Sequence, residues 1–129
     1  MSTLFLTLDE VLAIHADQIT RYGGSFGIRD QGLLESALAM PEASFADEEL
    51  HPTLFEKSAA YLFHLVKNHP FVDGNKRVAL ASALAFLAIN DVRVSATDDE
   101  LVELVIGAVA GHVSRADVAV FLREHQRHT

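Results

Sequence analysis

A chain of 129 residues, half of them apolar, fits a single domain with one core, and the absence of cysteine means that this core needs no disulfide. The formal net charge of −8 argues against a general nucleic-acid surface, which shows as a basic face. The first residues lack a secretory-signal pattern, and the longest apolar run, Val78 to Ile89, falls short of the roughly 20 residues of a bilayer span, so a cytoplasmic protein is expected.

Thr7-Leu8-Asp9-Glu10 has the form of a capping box, and Leu8, Val11, Leu12, His15 and Ile19 then fall on one helical face. Gly23, Gly24 and Gly27 end this first helix in a flexible loop, flanked by Arg21 and Tyr22, which could close over a ligand. Asp30 caps a second helix carrying Leu33, Leu34, Ala37 and Leu38, closed by Pro41; residues 42–52 read as a connection. Thr53-Leu54-Phe55-Glu56 repeats the capping pattern and opens a third helix through Tyr61, Leu62, Leu65 and Val66. Pro70 disfavours helical geometry at His69, which stops the helix there and is expected to hold His69 extended. A tight loop leads into a fourth helix that is apolar almost all round and therefore central. Asn90-Asp91 turns the chain and Val92-Arg93-Val94 reads as a short extended piece. Thr97 caps a fifth helix ending near Gly111, and Ser114 caps a sixth that runs through Val118, Phe121 and Leu122. The expected fold is all-α, a compact six-helix bundle around a central apolar helix, as one domain over residues 1–129.

The run His69-Pro70-Phe71-Val72-Asp73-Gly74-Asn75-Lys76-Arg77 concentrates the chemistry. It ends at a helix start, where unpaired backbone N–H groups and the macrodipole attract an anion. Lys76 and Arg77 in that first turn oppose the macrodipole by roughly 0.3–1 kcal/mol each, so an arriving anion would offset the repulsion. Cations this concentrated in an acidic protein suit a small anionic ligand better than a polymer of phosphates. His69 reads as a general base, since an imidazole's ordinary pKa lies near neutrality, or as a helix-end histidine settling a carbonyl. Asp73 reads as a helix cap or as an oxygen ligand for Mg²⁺. Gly74 permits close backbone approach, Asn75 can donate to a phosphate oxygen or cap the helix, and Phe71 anchors the loop. Lys67, two residues before His69, is a third cation of the set or a plain surface lysine. His15, His51, His64, His112, His125 and His128 lack partners at metal-ligand spacing and read as structural or surface groups. No P-loop, dinucleotide fingerprint, kinase glycine loop or zinc pattern is present.

This run resembles the signature of the Fic/Doc family, His-Pro-Phe-x-Asp/Glu-Gly-Asn-Gly-Arg-x-x-Arg. It departs at Lys76, where most members have Gly, and at Leu80, where they have a second Arg; both departures are similar to the Doc branch, the toxins of toxin–antitoxin pairs. Arg21-Tyr22-Gly23-Gly24, Gly27-Ile28-Arg29-Asp30 and Leu33 to Leu38 also resemble Doc relatives, so the likeness spans essentially the whole chain. The resemblance implies a bundle of Fic/Doc type with His69 as base, Asp73 as Mg²⁺ ligand, and Gly74, Asn75, Lys76 and Arg77 on the phosphates of ATP. Most Fic relatives transfer AMP to a hydroxyl. In Doc relatives with such a variant motif the nucleotide is reversed, and its γ-phosphate goes to a threonine of elongation factor Tu. The implied activity is therefore a protein-threonine kinase that arrests translation. The alternatives are an AMP-transferring enzyme and a catalytically silent binding module. The self-inhibiting string Ser/Thr-x-x-x-Glu-Gly/Asn of many Fic proteins is missing, and Leu80 has removed its usual receiving Arg. Restraint is thus expected from a separate antitoxin whose disordered tail folds on binding, with the apolar faces of the first helices as docking surfaces.

Overall fold

Among the described residues, five of the six helices begin on a side chain that accepts a hydrogen bond from a first-turn N–H. The helices are α1 (Leu8–Tyr22), α2 (Gln31–Ala39), α3 (Leu54–Asn68), α4 (Asn75–Ile89), α5 (Asp98–Ala110) and α6 (Arg115–Glu124). Thr7, Asp30, Thr53, Thr97 and Ser114 cap all but α4, each accepting from the N–H three residues on. Thr7, Thr97 and Ser114 complete reciprocal capping boxes with Glu10, Glu100 and Asp117. The exception, α4, starts from Gly74 at φ 78° and ψ 14°, with no side-chain cap.

The structure is a computed structural model that describes residues 2–127. Met1, Thr129 and His128, the last expected to be structural or at the surface, lie outside them. It is mainly α-helical, as the sequence indicates. A 3₁₀ turn at Met40–Glu42 extends α2, with Pro41 buried at its start. The segment expected to be a plain connection contains a small antiparallel hairpin, β1 (Ser44–Phe45) with β2 (Glu48–Glu49), turned by Ala46 and Asp47 at positive φ. The extended piece after α4 is β3 (Arg93–Val94); its antiparallel partner is β4 (Gln126–Arg127), beyond α6.

Small side chains set the centre of the molecule. Ala59 and Ala60 of α3 and Ala79 and Ala83 of α4 are fully buried, so the two backbones approach closely, and Ser58 Oγ donates to the Ala83 carbonyl at 2.8 Å. Tyr61, Leu62 and Leu65 from α3 and Val78, Phe86 and Leu87 from α4 fill the space around this seam. The central position expected for the fourth helix is thus shared with α3, which also packs against α2, α5 and α6. Buried Lys57 of α3 ties in the hairpin by donating to the His51 carbonyl and pairing with Glu49 at 3.2 Å. The apolar faces of α1 and α2 are spent on the core: Val11, Ile19, Leu34 and Ala37 are buried. They are therefore not the free docking surfaces expected of the first helices. The exposed apolar stripe lies on α5, where Val102, Ile106 and Val109 are each about half exposed. Among the described residues, no helix is long and apolar enough to cross a membrane.

Candidate active site

The six-residue link between α3 and α4, residues 69–74, is held in shape by groups from α1 and from the loop that follows it. His69 opens the link at φ 48° and ψ 54°, left-handed rather than extended as expected. Pro70 excludes the right-handed helical region at His69, but the left-handed region remains open to it. A left-handed non-glycine residue costs roughly 1–3 kcal/mol, and here the surroundings over-determine it. The Arg29 guanidinium donates to the His69 carbonyl at 2.7 Å and the Asn68 carbonyl at 2.9 Å, which fixes the end of α3. The His69 side chain is left exposed at the mouth of a cavity.

Phe71 is fully buried, as its expected anchoring role requires. Its ring stacks on His15 of α1 with centroids 4.0 Å apart and planes within 7°. His15 Nε2 in turn donates to the Asp73 carbonyl at 3.0 Å, so one α1 side chain supports two positions of the link. The loop after α1 runs antiparallel beside the link: Ile28 pairs with Phe71, and the Val72 N–H donates to the Gly27 carbonyl at 3.0 Å.

Asp73 accepts from the Gly74 N–H at 2.8 Å through Oδ1 and from the Ser25 N–H at 3.1 Å through Oδ2. These two donors hold its carboxyl below the usual carboxylate range, with smaller help from Arg77 and His15. Asp73 therefore stays ionised and is not the helix cap, since Gly74 occupies that position. A side chain at Gly74 would be strained at its φ of 78°, and its Cβ would stand 3.1 Å from Ile19 Cδ1, which would have to give by a few tenths of an ångström. The Asn75 side chain is held against the loop backbone. Its Oδ1 accepts from the Phe71 N–H at 2.9 Å and its Nδ2 donates to the Phe71 carbonyl at 3.0 Å, with the residue 6% exposed. The loop backbone takes the Oδ1 and one N–H of this amide, which leaves the second Nδ2–H and the backbone N–H as the donors Asn75 can offer a ligand. Arg77 donates to the Gln18 carbonyl at 3.3 Å and the Gly23 carbonyl at 2.9 Å, with three of its five donors left over. Lys76 is exposed beside it.

A cavity of about 550 Å³ gathers His69, Asp73, Gly74, Asn75, Lys76 and Arg77, with Val66, Val72 and Val109 on its walls. Lys67 does not join them: it is exposed, with its Nζ 5.8 Å from the ring centre of Phe63. Arg21 is engaged with Asp17 at 2.9 Å on the surface of α1, and Tyr22 stands 67% exposed on the rim of a neighbouring groove. The wall residue Val109 and the supports His15, Arg29 and Ser25 carry no local signal, because each reaches the link from far along the chain.

Chemically, this arrangement can seat an anion beside an imidazole. The N–H groups of Asn75, Lys76 and Arg77 precede the first intrahelical bond, from the Val78 N–H to the Gly74 carbonyl at 2.9 Å, and no side chain caps them. Among the described residues, no group of three His, Cys, Asp or Glu could hold a metal alone. A lone ionised carboxylate at the cavity mouth nonetheless suits Mg²⁺, which takes one or two carboxylates and completes its shell with substrate phosphates and water. A second cavity, an apolar groove of about 220 Å³ between α4 and α5, is lined by Leu80, Val102, Val105 and Ile106 with Lys76 and Arg77 at its end.

The sequence pattern of the Fic/DOC family matches residues 5–87. The chain is 44% identical over 115 residues to "Protein kinase doc" of Escherichia phage P1, covering 89% of this chain and 90% of that protein. It is also 46% identical over 78 residues to "Toxin Doc" of Mycolicibacterium smegmatis, covering 60% of each chain.

Proposed function

The chain belongs to the Fic/Doc family, and from that membership we propose that it is a toxin of Doc type, a kinase that arrests translation by phosphorylating a threonine of elongation factor Tu. The observation that carries this reading is the uncapped start of α4: free backbone N–H groups, Lys76 and Arg77 share one cavity with His69 and Asp73.

In this reaction His69 removes the proton of the threonine hydroxyl as its oxygen attacks the γ-phosphorus of ATP. The new O–P bond forms while the bond to the β-phosphate oxygen breaks, leaving ADP. The backbone N–H groups at the start of α4, with Lys76 and the free donors of Arg77, stabilise charge on the phosphoryl oxygens, and phosphoryl transfer depends mainly on such positioning. Asp73 would hold a Mg²⁺ ion, whose contribution is to neutralise phosphate charge. Leu80, one turn beyond Arg77, lies in the apolar groove and adds no charge to the phosphate seat. Its placement supports a phosphate arrangement different from that of the AMP-transferring relatives.

Incubation with bacterial lysate and ATP labelled at the α- or γ-phosphate tests the proposal. A labelled protein should appear with the γ label alone, require Mg²⁺ and vanish for His69→Ala. Label from the α position would establish AMP transfer instead. No label from either, with a folded sample, would leave a silent binding module.

The partners follow from the same reading: a protein substrate, and a cognate antitoxin whose tail folds as it binds. The groove between α4 and α5, continued by Tyr22 and Leu84 towards α1, offers such a tail an apolar seat that ends at Lys76 and Arg77.

A further inference from the structure

The cavity has two unlike halves. One is the motif itself, where the start of α4 supplies backbone donors and cations. The other is built from three valines on three separate elements: Val66 in the last turn of α3, Val72 in the link and Val109 in the last turn of α5. Val72 and Val109 are 53% and 51% exposed, so this half of the concavity offers open apolar surface to a ligand. At about 550 Å³ the cavity lies within the roughly 300–1,000 Å³ typical of small-molecule sites. A charged end and an apolar end in one cleft match a ligand with a polyphosphate at one end and a flat apolar ring at the other.

The polar side chains that line the cavity all belong to residues 69–77, the end that carries the charge. Asn75 is clamped onto both backbone groups of Phe71, and Asp73 takes two backbone N–H groups at the phosphate end. Lys76 and Arg77 sit in the first turn of α4, and the valine wall has no donor or acceptor on its side chains. Sites that hydrogen-bond a distinguishing group reject analogues by about 10⁴–10⁵, whereas apolar contact discriminates by only about 10–200-fold.

We propose that this cavity binds nucleoside triphosphates without reading the base, with Val66, Val72 and Val109 as the base-contacting wall; this rests on the phosphotransfer reading above. ATP and GTP then bind within roughly tenfold of one another. Pyrimidine nucleotides bind several-fold more weakly, because a smaller ring buries less apolar surface.

Calorimetric titration of the intact protein in Mg²⁺ with ATP, GTP, CTP and inorganic tripolyphosphate tests this. The expected result is ATP and GTP nearly equal, CTP weaker and tripolyphosphate weakest. Val109→Asn, a change at a half-exposed position, should weaken both purine nucleotides severalfold and leave tripolyphosphate unchanged. A preference for ATP over GTP beyond a hundredfold would overturn base-blind binding while leaving the phosphotransfer reading intact. Tripolyphosphate binding as tightly as ATP, or losing as much in Val109→Asn, would show that the wall does not touch the base. Binding of none of the four by a folded sample would overturn the phosphotransfer reading and this inference with it.

Discussion

Two adjacent glycines after α1 carry different burdens. Gly23 and Gly24 both have positive φ, 84° and 118°, so a side chain at either should cost roughly 1–3 kcal/mol in backbone strain. A Cβ at Gly23 would meet nothing within 4 Å, whereas one at Gly24 would stand 2.6 Å from Asp73 Oδ2 and 3.2 Å from Arg77 Nη2. Gly23→Ala should therefore lower the melting temperature and keep phosphotransfer, while Gly24→Ala should also push apart the proposed metal and phosphate ligands and lose at least tenfold in rate. Equal rate losses in the two folded variants would refute the distinction. The motif itself was legible because its members are consecutive, so one stretch of sequence displays base, carboxylate and cations together. What supports it was not. His15 lies 58 residues from the Asp73 carbonyl it holds, and Arg29 lies 40 from His69; helical periodicity shows only that His15 faces inward. Lys67 illustrates the converse: closeness in sequence placed it near the motif, but it lies above Phe63 and outside the cavity.

At the scale of elements, Thr7, Asp30, Thr53, Thr97 and Ser114 announced five helix starts, because a cap is a local bond between neighbours. Of the two-residue strands, β3 was legible as the extended piece Val92-Arg93-Val94, but its pairing with β4 joins distant segments, and the β1–β2 hairpin is too short to show an alternating pattern. Helix α3 carries a group whose cost also escapes the pattern. His64 has a buried Nε2 with no hydrogen-bond partner. Burial pushes its pKa down from 6.5 to about 4, helped by the positive charges of Arg115 and Lys67 and by His51. Between those two values the unfolded chain binds a proton that the folded chain does not. Stability should therefore rise with pH through this window and be lost as pH falls from about 6.5 towards 4. Burial lowers the pKa of His51 as well, in the same sense, so some slope should persist without His64. Urea midpoints measured from pH 7 to pH 5 should decline, and His64→Leu should flatten the decline. An unchanged slope in that variant would assign the effect elsewhere.

For the molecule as a whole, most apolar faces close on the seam between α3 and α4, and the outer stripe of α5 does not. Ile106 is 56% exposed on the groove, so Ile106→Glu should change folding stability by no more than about 0.5 kcal/mol. If an antitoxin tail seats there, the same change should free the proposed toxin from neutralisation when the two are co-expressed. Neutralisation at full strength would place the tail on another surface. Helix α5 serves two hollows at once: Val109 lines the cavity, Val102 and Ile106 line the groove, and Lys76 and Arg77 border both. This sharing bears on the order in which a ribosome delivers the parts. Domains form as their segments emerge from the N-terminal side, and neither hollow is walled until residue 110 has left the tunnel. A nascent chain therefore passes through no stage with a finished catalytic pocket and no surface by which to be silenced, so on the proposed reading hazard and restraint arrive on the same helix.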